Sequence, residues 1–366
     1  MVVDRRRRMR SGSCSAPRSS SSASLPAWKS RTRSDFHSSA RRFVRCCVGF
    51  AVEGVRSVGC YPRDHRRTEE LMKIRTAVFP VAGWGTRFLP ATKAVPKELL
   101  PVVDRPVIQY AIEEAIASGV ERVILVTSEH KRSIEDHFDS ATDLEAVLEA
   151  RGDIEHLRAV RAVADMVHLV TVRQKEQLGL GHAVLMARDA VGREPFAVVL
   201  PDDLIVGRSP ALGELIGAYE KSSASVVALM EVAADQTRRY GIVEPDPTLP
   251  SSDGGRTIPL RGLVEKPEPK DAPSNLAIVG RYVLSPKIFE KLERTKHGAG
   301  GEIQLTDAIQ ALAADQPVVG FKFSGTRYDV GAPEGWLRAN LDLALDHPTY
   351  GAALRTSLTR PAQDHK

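Results

Sequence analysis

From Ile74 onward, short apolar runs alternate with stretches whose apolar positions recur every three or four residues. The runs at 76–81, 123–127, 168–172, 196–200, 225–232, 277–284 and 318–323 are apolar nearly throughout, as strands are when a sheet is covered on both faces. Between them, 106–118, 181–190, 211–221, 302–314 and 334–345 show helical spacing. Pro106 stands at a tolerated early helical position and Gly119 is a natural terminator. This alternation predicts an α/β fold with a buried, largely parallel sheet. The segment 240–266 breaks the rhythm with Pro245, Pro247, Pro250 and Gly254-Gly255, and reads as an inserted, hairpin-like excursion with a mobile tip.

Composition splits the 366 residues sharply near Met72. Residues 1–72 hold 16 Lys and Arg against 6 Asp and Glu, whereas the rest hold 35 against 40, so the basic character belongs to the leader alone. The leader is rich in Arg and Ser, with almost nothing from which to build a core, and residues 1–71 are expected to be a disordered basic segment. Its acidic-poor start fits an organelle transit peptide; a start site assigned too far upstream, with Met72 as initiator, fits better because Lys73-Ile74-Arg75 leads straight into the first strand. The mildly acidic remainder carries no basic, aromatic-interleaved stripe and excludes a nucleic-acid partner. Cys14, Cys46, Cys47 and Cys60 all lie in the leader, so neither a disulfide framework nor a cysteine metal site supports the core, as suits a reducing cytoplasm. No apolar run is long enough to span a bilayer. The expected organisation is a leader at 1–71, one folded domain at 72–350 and a C-terminal tail at 351–366.

The chemistry concentrates after the first strand, in Ala82-Gly83-Trp84-Gly85-Thr86-Arg87. Glycines let backbone N–H groups approach a phosphate closely. The Walker pattern is missing, and Phe88 stands where a dinucleotide fingerprint needs a small residue. A tight strand-to-helix turn would explain the glycines alone. The cations Arg87, Lys93 and Lys97 favour a polyanion such as a nucleoside triphosphate. A second signal is the run Phe196 to Leu200, which delivers Pro201-Asp202-Asp203 to the carboxyl end of a strand, where open α/β sheets bind ligands. A carboxylate there suits magnesium, which takes one or two carboxylates plus phosphates and waters; an acidic helix N-cap is the plainer use of Asp202.

These motifs, with Lys97-Glu98-Leu99, Gln174, Gly179-Leu180-Gly181-His182-Ala183, Tyr240-Gly241-Ile242-Val243-Glu244, Val264-Glu265-Lys266-Pro267, the run Ser274 to Tyr282 and Glu302-Ile303-Gln304-Leu305-Thr306-Asp307, resemble the sugar nucleotidyltransferase superfamily, and within it the bacterial UTP–glucose-1-phosphate uridylyltransferases, over about 74–347. The resemblance implies a Rossmann-like nucleotide-diphospho-sugar transferase fold whose β-rich excursion binds sugar. It also implies a Mg2+-dependent reaction of UTP with glucose 1-phosphate in a homodimer or homotetramer.

By that resemblance Ala82, Gly83, Gln174 and Gly179 read the uracil, with Glu98 beside them. Gly85 and Thr86 cradle the phosphates, Arg87 and Lys97 lie along the triphosphate, and Asp202 carries the metal, with Asp329 as its second ligand. Gly241 and Glu265 meet the glucose ring, and Lys266 neutralises its phosphate. A thymidylyl- or adenylyltransferase, or a non-catalytic sugar-nucleotide-binding regulator, would use many of the same residues. Two departures stand out: Trp84 where a smaller or aliphatic residue is expected, and Ala332-Pro333-Glu334 in place of a Lys-bearing turn.

Overall fold

The computed structural model describes residues 73–359, so the expectations for the leader and for 360–366 lie outside the described residues. In chain order the strands are β1 (Thr76–Pro80), β2 (Pro101–Val102), β3 (Arg105–Pro106), β4 (Arg122–Thr127), β5 (His168–Arg173), β6 (Phe196–Val199), β7 (Asp203–Val206), β8 (Ser225–Glu231), β9 (Gly241–Pro245), β10 (Thr257–Glu265), β11 (Leu276–Leu284), β12 (Val318–Lys322) and β13 (Thr326–Asp329). The helices are α1 (Val107–Ala117), α2 (Arg132–His137), α3 (Thr142–Arg151), α4 (Ile154–Ala164), α5 (Leu180–Met186), α6 (Arg188–Val191), α7 (Ala211–Ser222), α8 (Ile288–Arg294), α9 (Leu305–Ala313), α10 (Pro333–Asp346) and α11 (Gly351–Leu358).

Nine strands form one sheet in the order β5-β4-β1-β6-β11-β8-β12-β10-β9. Successive side chains of a strand point to opposite faces, and both faces are covered. Ala77, Phe79, Val123, Leu125 and Val199 pack with Ile108, Ile112, Leu212 and Leu215 of α1 and α7. Val78, Ile124, Val126 and Val198 pack with Val184, Leu292 and Ile309 of α5, α8 and α9. Two-sided burial is why these strands read as continuous apolar runs. A smaller cluster of Val102, Val107, Leu204, Tyr328, Val330 and Ala339 ties α10 to the β7–β13 ribbon.

The sheet is mixed. β1 pairs in parallel with β4 and with β6, and β4 with β5. Beyond β6 only β11 and β10 run the other way: β11 is antiparallel to both β6 and β8, β12 is parallel to β8, and β10 is antiparallel to β12 and β9. The expected excursion is the β9–β10 hairpin. Because the chain winds outward in both directions from β1, the carboxyl ends of β1 and β6 flank a switch-point crevice, and ligands bind open α/β sheets at such crevices.

All seven expected strands are present. The helix expected at 181–190 is broken into α5 and α6 at Ala187, and α9 begins after Gln304, whose backbone is extended. The helices α2 to α4 lie outside the expected set; none of α3 is buried, whereas α2 buries Ile134 and α4 buries Leu157. The expected tail starts as a helix: α11 returns along α10, with His347 and Tyr350 stacked at 4.6 Å and Arg355 donating to the Leu345 carbonyl.

Candidate active site

Leaving β1, the chain makes a tight turn that depends on Gly85, whose φ of +68° lies in the left-handed region. A Cβ at Gly85 would meet Lys97 Cβ at 3.2 Å. Thr92 Oγ1 donates to Gly85 O at 2.8 Å, folding 89–97 back over the turn and setting Lys97 and Glu98 beside it. A cavity of 440 Å³ opens there, lined among others by Ala82, Gly83, Trp84, Gly85, Thr86, Lys97, Glu98, Gln174, Gly179 and Asp202. Nine residues expected from sequence to bind nucleotide, phosphate or metal thus line one cavity. Arg87, Gly241, Glu265, Lys266 and Asp329 do not line it.

Charge in the cavity is organised as pairs. Lys97 Nζ donates to Asp202 Oδ2 at 2.6 Å. Burial opposes ionisation of Asp202, but Lys97 and Arg87 together outweigh it and hold the carboxyl below its ordinary 3.8. Burial likewise disfavours the Lys97 ammonium, yet Asp202 and Glu98 raise its pKa above 10.5. Both groups are therefore charged at neutral pH. Arg87 is exposed, and its guanidinium borders Gly331, where a Cβ would lie 3.3 Å from Arg87 Nη2. Glu98 is 3% exposed and accepts from Lys131 Nζ at 2.7 Å; burial pulls that ammonium below 10.5 despite Glu98. Lys131, in the turn after β4, was not anticipated from the sequence.

Asp202 and Asp203, adjacent in sequence, are used differently. Asp203 Oδ2 accepts from Gly280 N at 2.7 Å and its Oδ1 from Arg327 Nε at 2.6 Å, so its carboxylate is spent on fixing the loop. Arg281, fully buried, completes the brace. A register shift in β11 between Val279 and Tyr282 accompanies its inward turn. It donates to Glu114 Oε2 at 2.7 Å, Leu200 O at 3.0 Å and Asp203 O at 2.9 Å.

At the opposite end of the cavity, Gln174 is buried and its amide nitrogen donates to Gly179 O at 3.3 Å and faces His182 Nδ1 at 3.0 Å. Gln177 Nε2 donates to Ala82 O at 2.8 Å, fixing the strand-end carbonyl. Gly179 has φ +96°, and a Cβ there would lie 2.7 Å from Glu302 Cβ. Gln177 and Glu302 line the cavity unpredicted; Glu302 opens one of the quoted motifs without an assigned role, and Gln177 lies between Gln174 and the Gly179 motif.

The expected sugar residues form a separate cluster at the mouth of the β9–β10 hairpin. Gly241 and Glu265 are register partners. A Cβ on Gly241 would lie 2.8 Å from Thr306 Oγ1 and 3.2 Å from Glu265 Oε2. Lys266 adopts φ +46°, a conformation rare for a residue with a side chain, and its Nζ meets Glu265 Oε1 at 3.0 Å. Buried Tyr282 lies between the clusters: burial first, then the carboxylates Asp203, Glu265 and Asp202, push its phenol pKa up.

Among the described residues no three His, Cys, Asp or Glu side chains are grouped to hold a metal. The available carboxylates are Asp202 and Asp329, brought to adjoining chain segments as Val330 N donates to Asp202 O at 2.9 Å. Asp329 also accepts from Arg239 Nη2 at 3.1 Å. Gly331 keeps space in front of Asp202, whose Oδ2 would sit 2.8 Å from a Cβ there. One or two carboxylates beside a glycine turn and its cations fit a cation such as magnesium, which takes few protein oxygens and fills its octahedron otherwise, better than an all-protein zinc or calcium cage.

Comparison with known proteins places the chain. The family described as nucleotidyl transferase matches residues 77–345. A UTP–glucose-1-phosphate uridylyltransferase of Staphylococcus haemolyticus is 49% identical over 278 residues, 76% of this chain and 95% of that protein. The structure of a UTP-bound UGPase from Acinetobacter baumannii matches with TM-score 0.72 and 42% identity, covering 78% of this chain and 98% of that one. A UDP-glucose pyrophosphorylase complexed with UDP-glucose matches with TM-score 0.67 and 41% identity, over 75% of this chain and 100% of that one. With its strand order, its glycine turn lined by cations and these likenesses over nearly the whole length of its relatives, the chain belongs to the nucleotidyl transferase family, among the UTP–glucose-1-phosphate uridylyltransferases.

Proposed function

We propose that this chain transfers UMP from UTP to glucose 1-phosphate, giving UDP-glucose and pyrophosphate, with Mg2+ as its metal. The observation that carries the reading is the cavity at the β1/β6 crevice, where a glycine turn, the Lys97–Asp202 pair and the Gln174–Gly179 corner face one another. The uracil lies at Ala82, Gly83, Gln174 and Gly179, with Glu98 fixed beside it. The phosphates run along Gly85, Thr86, Arg87 and Lys97. Glucose 1-phosphate enters from Gly241, Glu265 and Lys266, with Glu265 accepting from sugar hydroxyls and Lys266 meeting the phosphate.

A phosphate oxygen of glucose 1-phosphate attacks the α-phosphorus in line, and the bond to the α–β bridging oxygen breaks as pyrophosphate departs. No general base is required, because the second ionisation of a phosphate monoester has a pKa of about 6. Catalysis is positioning and charge neutralisation: Arg87 and Lys97 offset negative charge on the triphosphate, while Lys266 draws the second anion towards it. Bound at Asp202, with Asp329 as second ligand, Mg2+ would supply further neutralisation of the phosphates.

The assembly is proposed as a homodimer or homotetramer. Exposed Leu337 and Leu341 on α10, and Leu354 and Leu358 on α11, support an apolar contact face. A cytoplasmic location is supported by the absence of cysteine from 73–366. The deciding experiment is pyrophosphate release with Mg2+, crossing UTP, dTTP and ATP against glucose 1-phosphate and galactose 1-phosphate. Turnover confined to UTP with glucose 1-phosphate supports the reading. Preference for dTTP or ATP would move the assignment to a thymidylyl- or adenylyltransferase, and a folded but silent protein would leave a sugar-nucleotide-binding regulator.

A further inference from the structure

Trp84 interrupts an otherwise small and polar turn. It is 62% exposed, an unfavourable setting for so large an apolar surface. Flanking Gly83 has open space around it, and Gly85 is turned by its left-handed φ, so the loop holds the indole out at the lip of the cavity rather than folding it into the core. There it meets a second ring: the His130 imidazole lies 5.5 Å from the indole, with the planes inclined at 33°. His130 precedes Lys131, which is locked to Glu98, so the brace is joined to the same wall that carries the cavity's buried carboxylate. Behind the indole, a smaller hollow of 280 Å³ is bounded by Thr92, Lys93, Ser128, His130 and Lys131, and Trp84 forms the partition between the two spaces.

Of the described residues lining the 440 Å³ cavity, Trp84 is the one aromatic side chain. Its place in the loop is also specific. Ala82 and Gly83, on one side, belong to the proposed base end, and Gly85 and Thr86, on the other, to the phosphate end. A nucleoside spanning these ends presents its ribose and the π face of its base to the residue between them. The cavity's other side chains supply hydrogen bonds, charge or small aliphatic surface, and only the indole offers a stacking plane.

The geometry points to Trp84, braced by His130, as a nucleoside-positioning residue that packs against the ribose and base of the bound triphosphate. This inference rests on the proposed nucleotidyl transfer and adds a contact from a side chain that departs from the expected loop sequence. Covering the exposed indole with ligand removes apolar area from water on both partners, a contribution to binding that phosphate contacts do not supply.

The test uses the full chain and two ligands that separate the halves of the site: UTP, which has a nucleoside, and inorganic pyrophosphate, which has none. In calorimetric titrations Trp84→Leu is expected to weaken UTP about tenfold, which corresponds to about 1.4 kcal/mol, while pyrophosphate affinity stays within about twofold. Trp84→Phe should recover most of the UTP affinity. The kinetic loss should appear in KM for UTP more than in kcat, and UTP should change tryptophan fluorescence in the parent but not in Trp84→Phe. Unchanged UTP affinity in Trp84→Leu overturns the inference, as does equal weakening of UTP and pyrophosphate, which would mean that the loop itself had collapsed. A parent protein that binds no UTP would overturn the proposed function as well, whereas tight UTP binding indifferent to residue 84 overturns this inference alone.

Discussion

Replacing Arg281 with methionine tests whether the Asp202 loop is held by long-range charge pairing. Arg281 has no exposed surface, and its guanidinium satisfies the Glu114 carboxylate together with the carbonyls of Leu200, Gly280 and Asp203. Arg281→Met fills similar volume but leaves Glu114, with its side chain only 10% exposed, as an uncompensated charge. Breaking a buried pair from one side costs about 3–5 kcal/mol. At a few degrees per kcal/mol for a domain of this size, the melting temperature should fall by on the order of 10 °C. Glu114→Leu combined with Arg281→Met removes the stranded charge, and because apolar replacement of both partners is often close to neutral, about half the loss should return. Stability is read from urea denaturation of Arg281→Met, Glu114→Leu and the double variant, and turnover from pyrophosphate release. The double variant should remain about tenfold slower than the parent, because neither substitute holds the carbonyls of Leu200 and Asp203. A single variant destabilised by less than about 1 kcal/mol, or a double variant as unstable as the sum of its parts, would refute the reasoning.

The same logic applies to Lys131→Met, which strands buried Glu98 and should cost about 3 kcal/mol by denaturation; adding Glu98→Gln should restore part of it, and strict additivity would argue against coupling. For the reaction, kcat/KM for glucose 1-phosphate should fall below pH about 6, where the sugar phosphate gains a proton, and a substrate with a more acidic phosphate should move that limb down. Asp202 cannot set the limb, because its pKa is depressed: its contribution to stability is in place above the ordinary 3.8 and is lost only as pH falls through its folded value, so a limb unmoved by the substrate's acidity would refute this account. Gly241→Ala drives a Cβ to within 2.8 Å of Thr306 Oγ1 and 3.2 Å of Glu265 Oε2, and should raise KM for glucose 1-phosphate about tenfold while changing KM for UTP little; equal effects on both substrates would count against a separate sugar subsite.

Legibility from sequence followed how local each determinant is. The strands were readable because burial on two faces leaves no polar position in Ala77 to Phe79 or Phe196 to Val199. The glycine turn after β1 was readable because its glycines and cations are contiguous, and its strand-end position follows from the run before it. Lys131 was invisible because its partner Glu98 lies 33 positions away, and the Arg281–Glu114 pair spans 167 positions. No local pattern announces such pairings. Arg281 was harder still: a charge within an apolar strand suggests an edge or a solvent face, yet β11 is central and the residue turns inward at its register shift. The residues expected to meet sugar were assigned to the inserted excursion, and Gly241, Glu265 and Lys266 do lie together at the β9–β10 hairpin, apart from the cavity-lining set; the separation was legible because the prolines and glycines of 240–266 interrupt the α/β rhythm.

The division of labour between Asp202 and Asp203 shows why the sequence could name the motif without sorting its members. Two adjacent carboxylates leaving a strand look equivalent, but Asp202 lies in a turn closed by Asp203 N donating to Leu200 O at 3.2 Å, whereas Asp203 is the first residue of β7, so the two side chains meet different partners. Asp203 turns towards β11, where Gly280 permits its approach: a Cβ there would lie 2.5 Å from Asp203 Oδ2, so any larger residue would push the carboxylate out. Its oxygens are taken by the Gly280 amide and the Arg327 guanidinium, and Arg327 is held in turn by Tyr240 Oη at 2.9 Å, the residue before Gly241 of the sugar cluster. Asp203 therefore links the strand that presents Asp202 to the hairpin that presents Glu265 and Lys266. In-line transfer depends on the distance between two anions, and a carboxylate that touches neither of them contributes to holding that distance.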